Sequence, residues 1–574
     1  MKLKLLSTLS LSLLSFIANA QQKADLIITN AKISTLDSSI PENSNTAVIQ
    51  NGKFVAIGNE NLLKEYQGKT INANKRRLVP GINDVHIHLV SYGATFNREV
   101  RWDGIFSQKE ALAVLKKQVD KTPKGEWATV IGGWSPYQFK EKSLVTPAQL
   151  DQLSATTPIM VTHLWDRIIY NKAALKALKI DRNSPDPKGG FIEKDTNGEP
   201  TGNVIAVSDW AVILNAIGSL PPPKDLAERK SSTQKYMQTL NSFGVTSLTD
   251  GGAGAYPNNY QAIIDLAKEK KMTLRVGGTL YPPIGANEAE QFDKWLNTVD
   301  VTIDDPYFKI IGAGEILSYE SFDMTNFEQD RPLLVNLEKD LKPILQSVIK
   351  KGWTFRLHAA YSETISRMLN VIEEINKENP IKNRWSIEHA ETLTMNEIKR
   401  IKNLNGGITV QSRLLFQAEE FEEKYGKEAI NNEVVNVNDI LDNNIPIGFG
   451  TDAMRIASYN PWYTAYFFVT GKNLSGKAFL PKEKKISREK ALELMTQGSA
   501  WFTKDEDVKG SISVGKFADF ILLSEDFLTI DENKIPEIRS VLTVVGGNVV
   551  YADKEFKKLA PKPFEILPNW SVYK

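Results

Sequence analysis

Eight short apolar segments alternate with stretches of helical periodicity through the middle of the chain, and this alternation constrains the fold more than any other feature. They are Leu78–His86, Gly244–Asp250, Leu274–Gly278, Phe308–Ile311, Thr354–His358, Trp385–His389, Gly407–Gln411 and Ile445–Gly450. Strands separated by helices pair in parallel, because the crossover helix returns the chain to the same end of the sheet. Eight of them favour closure into a (β/α)8 TIM barrel over an open sheet. The fold class read from the sequence is therefore α/β, with the barrel over residues 78–505. The chain has 574 residues, and single cores stop growing near ~250–300 residues, so at least one further unit accompanies the barrel.

Both ends are β-rich. Ala24–Asn30 reads as a strand, and Ala47–Gln50 and Phe54–Gly58 flank Asn51-Gly52, a dipeptide suited to the two positive φ values of a type I′ turn. At the far end Ala518–Leu523, Ser540–Val545 and Asn548–Tyr551 repeat the pattern around Gly546-Gly547. Each set is too small to be stable alone. The economical arrangement is one composite β-sandwich from residues 21–77 and 506–574, with two separate small β-units as the alternative. Residues 95–222 separate the first two barrel segments and far exceed the ~10–12 residues a crossover needs. The excess reads as an inserted subdomain at the barrel mouth. Trp102, Trp134, Trp165 and Trp210 then form its core or shape a pocket.

Net charge is +1, with 41% hydrophobic and 24% charged residues, and no basic run offers a nucleic-acid footprint. Lys2 and Lys4 precede the apolar run Leu5–Ile17, and Ala18-Asn19-Ala20 supplies small residues for cleavage. That is the order of a secretory signal peptide over residues 1–20, an uncleaved anchor being the alternative. The expectation is export across the inner membrane to the periplasm, with no membrane attachment afterwards and a small-molecule substrate as partner. The chain has no cysteine. Disulfides, thiol nucleophiles and thiolate ligands are excluded, which leaves any metal to His, Asp, Glu or a modified Lys.

Of five histidines, His86, His88, His358 and His389 stand at the ends of barrel segments, where a barrel keeps its active-site face. His86 and His88 are i and i+2 on one strand and share a face with Asp84. Both imidazoles then converge on one point, as a Zn²⁺-like cation requires; a lone His-x-His elsewhere would mean little. Asp452, at another strand end, is placed to ligate the same ion and accept a proton from the attacking water, or else to cap a helix. Lys309 lies inside an apolar strand. Burial drives an amine toward neutrality, and a neutral amine captures CO2 as a carbamate able to bridge two ions. Equally, Lys309 snorkels to the surface or pairs with Asp304, Asp305 or Glu315. Glu388 and Asp250 are candidates to orient a ligand imidazole, and His163 reads as structural.

These residues fall in motifs that resemble the amidohydrolase superfamily, and within it amidohydrolase family 3, the D-aminoacylase-like and N-substituted formamide deformylase-like metal-dependent hydrolases. The marks are Val79–His88, Pro185–Gly190 with Asn197–Gly202, Gly244–Ser247, Ile387–Ala390, Gly450–Asp452 and Gly510–Asp519, in that order over nearly the whole mature chain. The resemblance implies one or two divalent ions, zinc above all, on His86, His88, His358 and His389. It also implies an N6-carboxylated Lys309 bridging them and Asp452 as proton shuttle. Three departures stand out. Lys309 is followed by Ile-Ile-Gly-Ala-Gly-Glu315, where the family has a short pair and Asp-Gly. The loop after His358 is Ala-Ala-Tyr-Ser362, without the family's aspartate. Asp166 stands where a histidine is common. All three fall where substrate is held.

The expected function is hydrolysis of a C–N bond in a small amide, cyclic amide or N-acyl compound by a metal-activated water. An ester, lactone or phosphoester hydrolase would use the same residues. A non-catalytic periplasmic binding protein on a degenerate barrel is the alternative of another class. Four converging imidazoles argue against it, since a site that has lost its chemistry has no physical reason to keep them.

Overall fold

All eight segments contribute to one parallel sheet: β1 Ile82–Ile87, β2 Val245–Ala253, β3 Arg275–Leu280, β4 Phe308–Ala313, β5 Thr354–Ala359, β6 Trp385–His389, β7 Gly407–Val410 and β8 Ile447–Phe449, paired in chain order. The computed structural model describes residues 21–574 apart from Ser208, Thr325, Glu328 and Gln329; the signal-peptide reading of residues 1–20 lies outside them. Backbone hydrogen bonds close the seam between β8 and β1. Thr451 and Asp452 donate to the His86 carbonyl at 3.2 and 2.8 Å, and His88 donates to the Ala453 carbonyl at 3.2 Å. Gly450 permits this approach, because a Cβ there would lie 2.8 Å from both the Cβ and the backbone nitrogen of His86.

The helices around the barrel follow from apolar residues at helical spacing. In Ser362–Glu378 the residues Ile365, Met368, Leu369, Ile372 and Ile375 are buried, an i, i+3, i+4, i+7 stripe that faces the sheet. Each such side chain contributes roughly 1.5–3 kcal/mol on burial. The helix stops at Asn379, whose φ of −145° is extended, as expected of a residue preceding Pro380.

The first segment is split between two sheets. Arg77–Pro80 pairs antiparallel with Phe520–Leu523, and the chain enters β1 only after Gly81. The β-sandwich is a composite. A five-stranded sheet joins Lys32–Ile33 and Arg77–Pro80 to Phe520–Leu523, Ser540–Val545 and Asn548–Ala552, and a four-stranded sheet of N-terminal strands packs on it. One core unites Leu26, Ile28 and Phe54 with Phe520, Leu542 and Val544, so neither end could bury its apolar face alone. Asn51 and Gly52 have φ of 52° and 73°, the positive pair that a type I′ hairpin needs.

The insertion carries a six-stranded sheet that begins at Glu99 and ends at Ala206. Trp102 and Trp134 meet edge-on at 4.9 Å within its core. The C-terminal residues tie this unit to the barrel, where Ser231 of the helix Leu226–Ser242 donates to the Glu565 carbonyl at 2.8 Å. Asn97 donates to the Leu567 carbonyl at 2.9 Å, Ser571 donates to the Asn97 carbonyl at 2.7 Å, and Tyr573 stacks on Phe96 at 4.9 Å. No helix among the described residues is long and apolar enough to cross a membrane.

Candidate metal centre

The C-terminal ends of β1, β5, β6 and β8 bring His86, His88, His358, His389 and Asp452 together, all buried. Among them stands Glu315, two residues past the end of β4. Its Oε1 is 3.4 Å from His88 Nε2. Its Oε2 is 3.0 Å from His358 Nδ1, 3.0 Å from His389 Nε2 and 3.6 Å from His86 Nε2. Asp452 Oδ1 is 3.3 Å from His88 Nε2 and 3.7 Å from His86 Nε2, and its Oδ2 is 3.7 Å from His389 Nδ1.

Two donors each about 2.0–2.1 Å from a tetrahedral ion stand about 3.3–3.4 Å apart, so these separations suit a shared cation. His86 Nε2, His389 Nδ1 and Asp452 Oδ2 are enclosed without a hydrogen-bond partner, which is costly for polar atoms that nothing else satisfies. Two triplets, His86–His88–Asp452 and His86–Glu315–His389, each have ligand atoms within 4.8 Å of one another. The donor set fits divalent cations of the zinc type.

Lys309 is not part of this centre, and the expectation that it carries a bridging carbamate is corrected. It is the second residue of β4, at the opposite end of the barrel from Glu315. Six residues at ~3.3 Å each put them roughly 20 Å apart along the chain. Its Nζ lies 2.8 Å from Asp304 and 2.7 Å from Asp505. Burial disfavours the charged amine, but those two carboxylates outweigh it and hold the pKa above the ordinary lysine value. A protonated amine does not capture CO2.

Buried carboxylates behind the site set the direction of the rings. His86 Nδ1 is 2.6 Å from Glu388 Oε2, which turns Nε2 toward the centre. Arg356 Nη2 and Thr409 Oγ1 donate to the same oxygen at 2.5 and 2.7 Å. His358 Nε2 lies 3.2 Å from Asp323 Oδ1, leaving Nδ1 to face Glu315. Asp323 also accepts from the backbone of Ala360 and Tyr361, at 3.0 and 3.1 Å. A carboxylate from the β4–β5 connection thus serves the loop in which the sequence shows no aspartate. Asp250 touches no ligand ring but accepts from the Val90 N–H at 2.7 Å, fixing the chain just past His88. Asp84 accepts from the Thr451 hydroxyl and N–H at 2.6 and 3.0 Å, and burial pushes its pKa up to about 7. His389 and Asp452 have φ of 74° and 54°, a left-handed conformation that non-glycine residues adopt at a cost, commonly at functional sites.

The electrostatics follow from this crowding. Burial opposes charge on His88, but the hydrogen bond to Asp452 and the field of Glu315 prevail and raise its pKa to about 9. His358 rises to about 10, because Asp323 and Glu315 overcome burial in the same way. Burial likewise works against Glu315 and Asp452, yet the surrounding imidazoles hold both below the ordinary carboxylate range. His163 pairs with Asp166 at 2.7 Å in the insertion, away from the centre.

Fold and site together are those of a metal-dependent hydrolase. The chain belongs to the amidohydrolase family, whose model matches residues 69–551. It is 28% identical to Protein LONG AFTER FAR-RED 3 of Arabidopsis thaliana over 560 residues, 92% of each chain. It is 21% identical to the N-substituted formamide deformylase of Arthrobacter pascens over 556 residues, 92% of this chain and 99% of that one. The crystal structure of an uncharacterized metal-dependent hydrolase from Pyrococcus horikoshii shares the fold, with a TM-score of 0.62 at 20% identity, covering 88% of this chain and 99% of that one.

Proposed function

We propose that the protein hydrolyses a C–N bond, in an amide, cyclic amide or N-acyl linkage, of a small molecule. In this reading His86, His88, Asp452, His358 and His389 would hold two divalent cations, zinc by preference, and Glu315 would serve both. The observation that carries it is the buried ring of four imidazoles and two carboxylates with three unpartnered donor atoms. A bound divalent cation lowers the pKa of water from 15.7 toward about 7 and polarises a carbonyl.

The chain's own groups supply the rest. Glu315 presents one oxygen to His88 and the other to His358 and His389, so it is a two-oxygen anion able to serve two ions. Asp452 is kept anionic by its imidazole neighbours and lines the cavity above the centre. It is placed to accept the proton of the attacking water and return it to the leaving nitrogen as the C–N bond breaks. Glu388 and Asp323 hold the ring orientations throughout. The leader-like residues Met1–Ala20 support export as part of the same reading, and an N-terminus at Gln21 in the exported protein is its check.

The test is a panel of amides, lactams, esters, lactones and phosphoesters assayed with zinc-loaded wild type, Asp452→Asn and His86→Ala. Amide or lactam turnover is expected, with kcat about 10²–10⁴-fold lower in Asp452→Asn. Undiminished activity in both variants would contradict the mechanism. Turnover of esters alone would remove the C–N assignment and leave the hydrolase.

A further inference from the structure

A cavity of about 290 Å³ opens over the metal centre, with His88, His389, Glu315 and Asp452 in its floor. We infer that it holds a substrate bearing an uncharged flat ring, with no free carboxylate, beside the scissile C–N bond. The inference rests on the hydrolase reading and narrows it to a substrate class.

Shape argues for the ring. Trp165 and Trp210 reach the cavity from the insertion, and Tyr319 and Phe322 from the β4–β5 connection. Trp210 meets Phe322 edge-on at 5.1 Å and Trp165 edge-on at 6.0 Å, and lies within 25° of the plane of Tyr319. Phe322 in turn sits 4.2 Å from the His358 ring, so the aromatic wall runs down to the metal ligands. Tyr92 and Tyr281 line the cavity as well and add two more rings to its wall. Faces and edges of this kind favour a planar group by ring stacking, worth about 0.5–1.5 kcal/mol per pair beyond simple burial. A cavity of about 150 Å³ accepts benzene, so this one has room for a single ring and a short amide arm.

Charge argues against a carboxylate. Apart from the ligand histidines, Arg455 is the one cation among the described lining residues. Its Nη1 lies 2.9 Å from Glu99 Oε2 and donates to the Ile131 carbonyl at 3.2 Å, and its guanidinium stands 4.3 Å over the Tyr92 ring. A substrate carboxylate on the aromatic walls would displace Glu99 from this pair or remain without a cationic partner, either of which is costly for a charge taken out of water.

The experiment compares N-benzylacetamide with N-acetylphenylglycine, which adds one carboxylate at the benzylic carbon, and with N-(cyclohexylmethyl)acetamide, which removes the planarity. The zinc-loaded full chain is expected to show kcat/KM at least tenfold higher for N-benzylacetamide than for either relative. Trp210→Ala is expected to raise its KM at least fivefold with unchanged metal content, and Trp210→Phe to restore most of the loss. Equal or better turnover of N-acetylphenylglycine, or indifference to Trp210→Ala, would overturn the inference and leave C–N hydrolysis standing. Should no amide be cleaved, calorimetric titration of the same three compounds decides. A tenfold tighter Kd for N-benzylacetamide supports the pocket assignment while the C–N reading falls, and equal Kd values overturn both.

Discussion

Glu388 is held as a buried anion by Arg356 and His86 beside it, with His86, Arg356 and Thr409 converging on one oxygen. Glu388→Gln keeps the shape and removes the charge. It is expected to weaken zinc binding about 10–100-fold, measured by competition with a chromogenic chelator; unchanged affinity would show that Glu388 does not orient His86. Lys309→Met is expected to leave turnover unchanged in air and in CO2-free buffer, and to cost about 1–3 kcal/mol, because its pair with Asp505 is largely buried. The paired histidines and Asp452 were legible because a strand end names a barrel's active face. In the sequence Glu315 reads as an ion-pair partner for Lys309 and not as a ligand, because the apolar run marks the strand only to Ile311 while the strand continues to Ala313. The signal was present: Glu315 closes the run Ile310-Ile-Gly-Ala-Gly, at the rim where the other ligands stand. Asp323 carried no such signal, since it lies in a connection outside any periodic pattern and reaches His358 only through the fold.

At the scale of elements, the strands were legible because a parallel strand buried on both faces reads as a short apolar run. The split of the first run at Pro80-Gly81 was not, since two sheets that share a run of apolar residues look like one strand. The composite sandwich was legible from size alone, each end being too small to fold by itself. The barrel seam depends on Gly450. Gly450→Ala forces a Cβ to within 2.8 Å of His86 and is expected to cost about 1–3 kcal/mol. Because the same contact places His86, the melting temperature and zinc affinity are expected to fall together. A lower melting temperature at unchanged affinity would separate the seam from the site.

For the whole molecule, the metal centre couples folding to pH. His88 and His358 have pKa values of about 9 and about 10, raised above 6.5. Stability from a raised histidine is fully present below the unfolded value and is lost as pH climbs through the folded one. The metal-free protein is therefore expected to lose stability from pH 6.5 to 10, followed by thermal denaturation after chelation. Zinc competes with the same protons, so its affinity is expected to rise across that window, with release of about two protons per chain near neutrality. A metal-free melting temperature that climbs with pH would contradict this.

Glu315, and not Lys309, would join the cations of a two-ion centre. Zinc content per chain, measured by mass spectrometry after loading and gel filtration, tests it in wild type, Glu315→Gln and Lys309→Met. About two ions in wild type and Lys309→Met, with at most about one in Glu315→Gln, is the expected result for a bridged two-ion site. Wild-type content in Glu315→Gln, or loss of zinc from Lys309→Met, would contradict it.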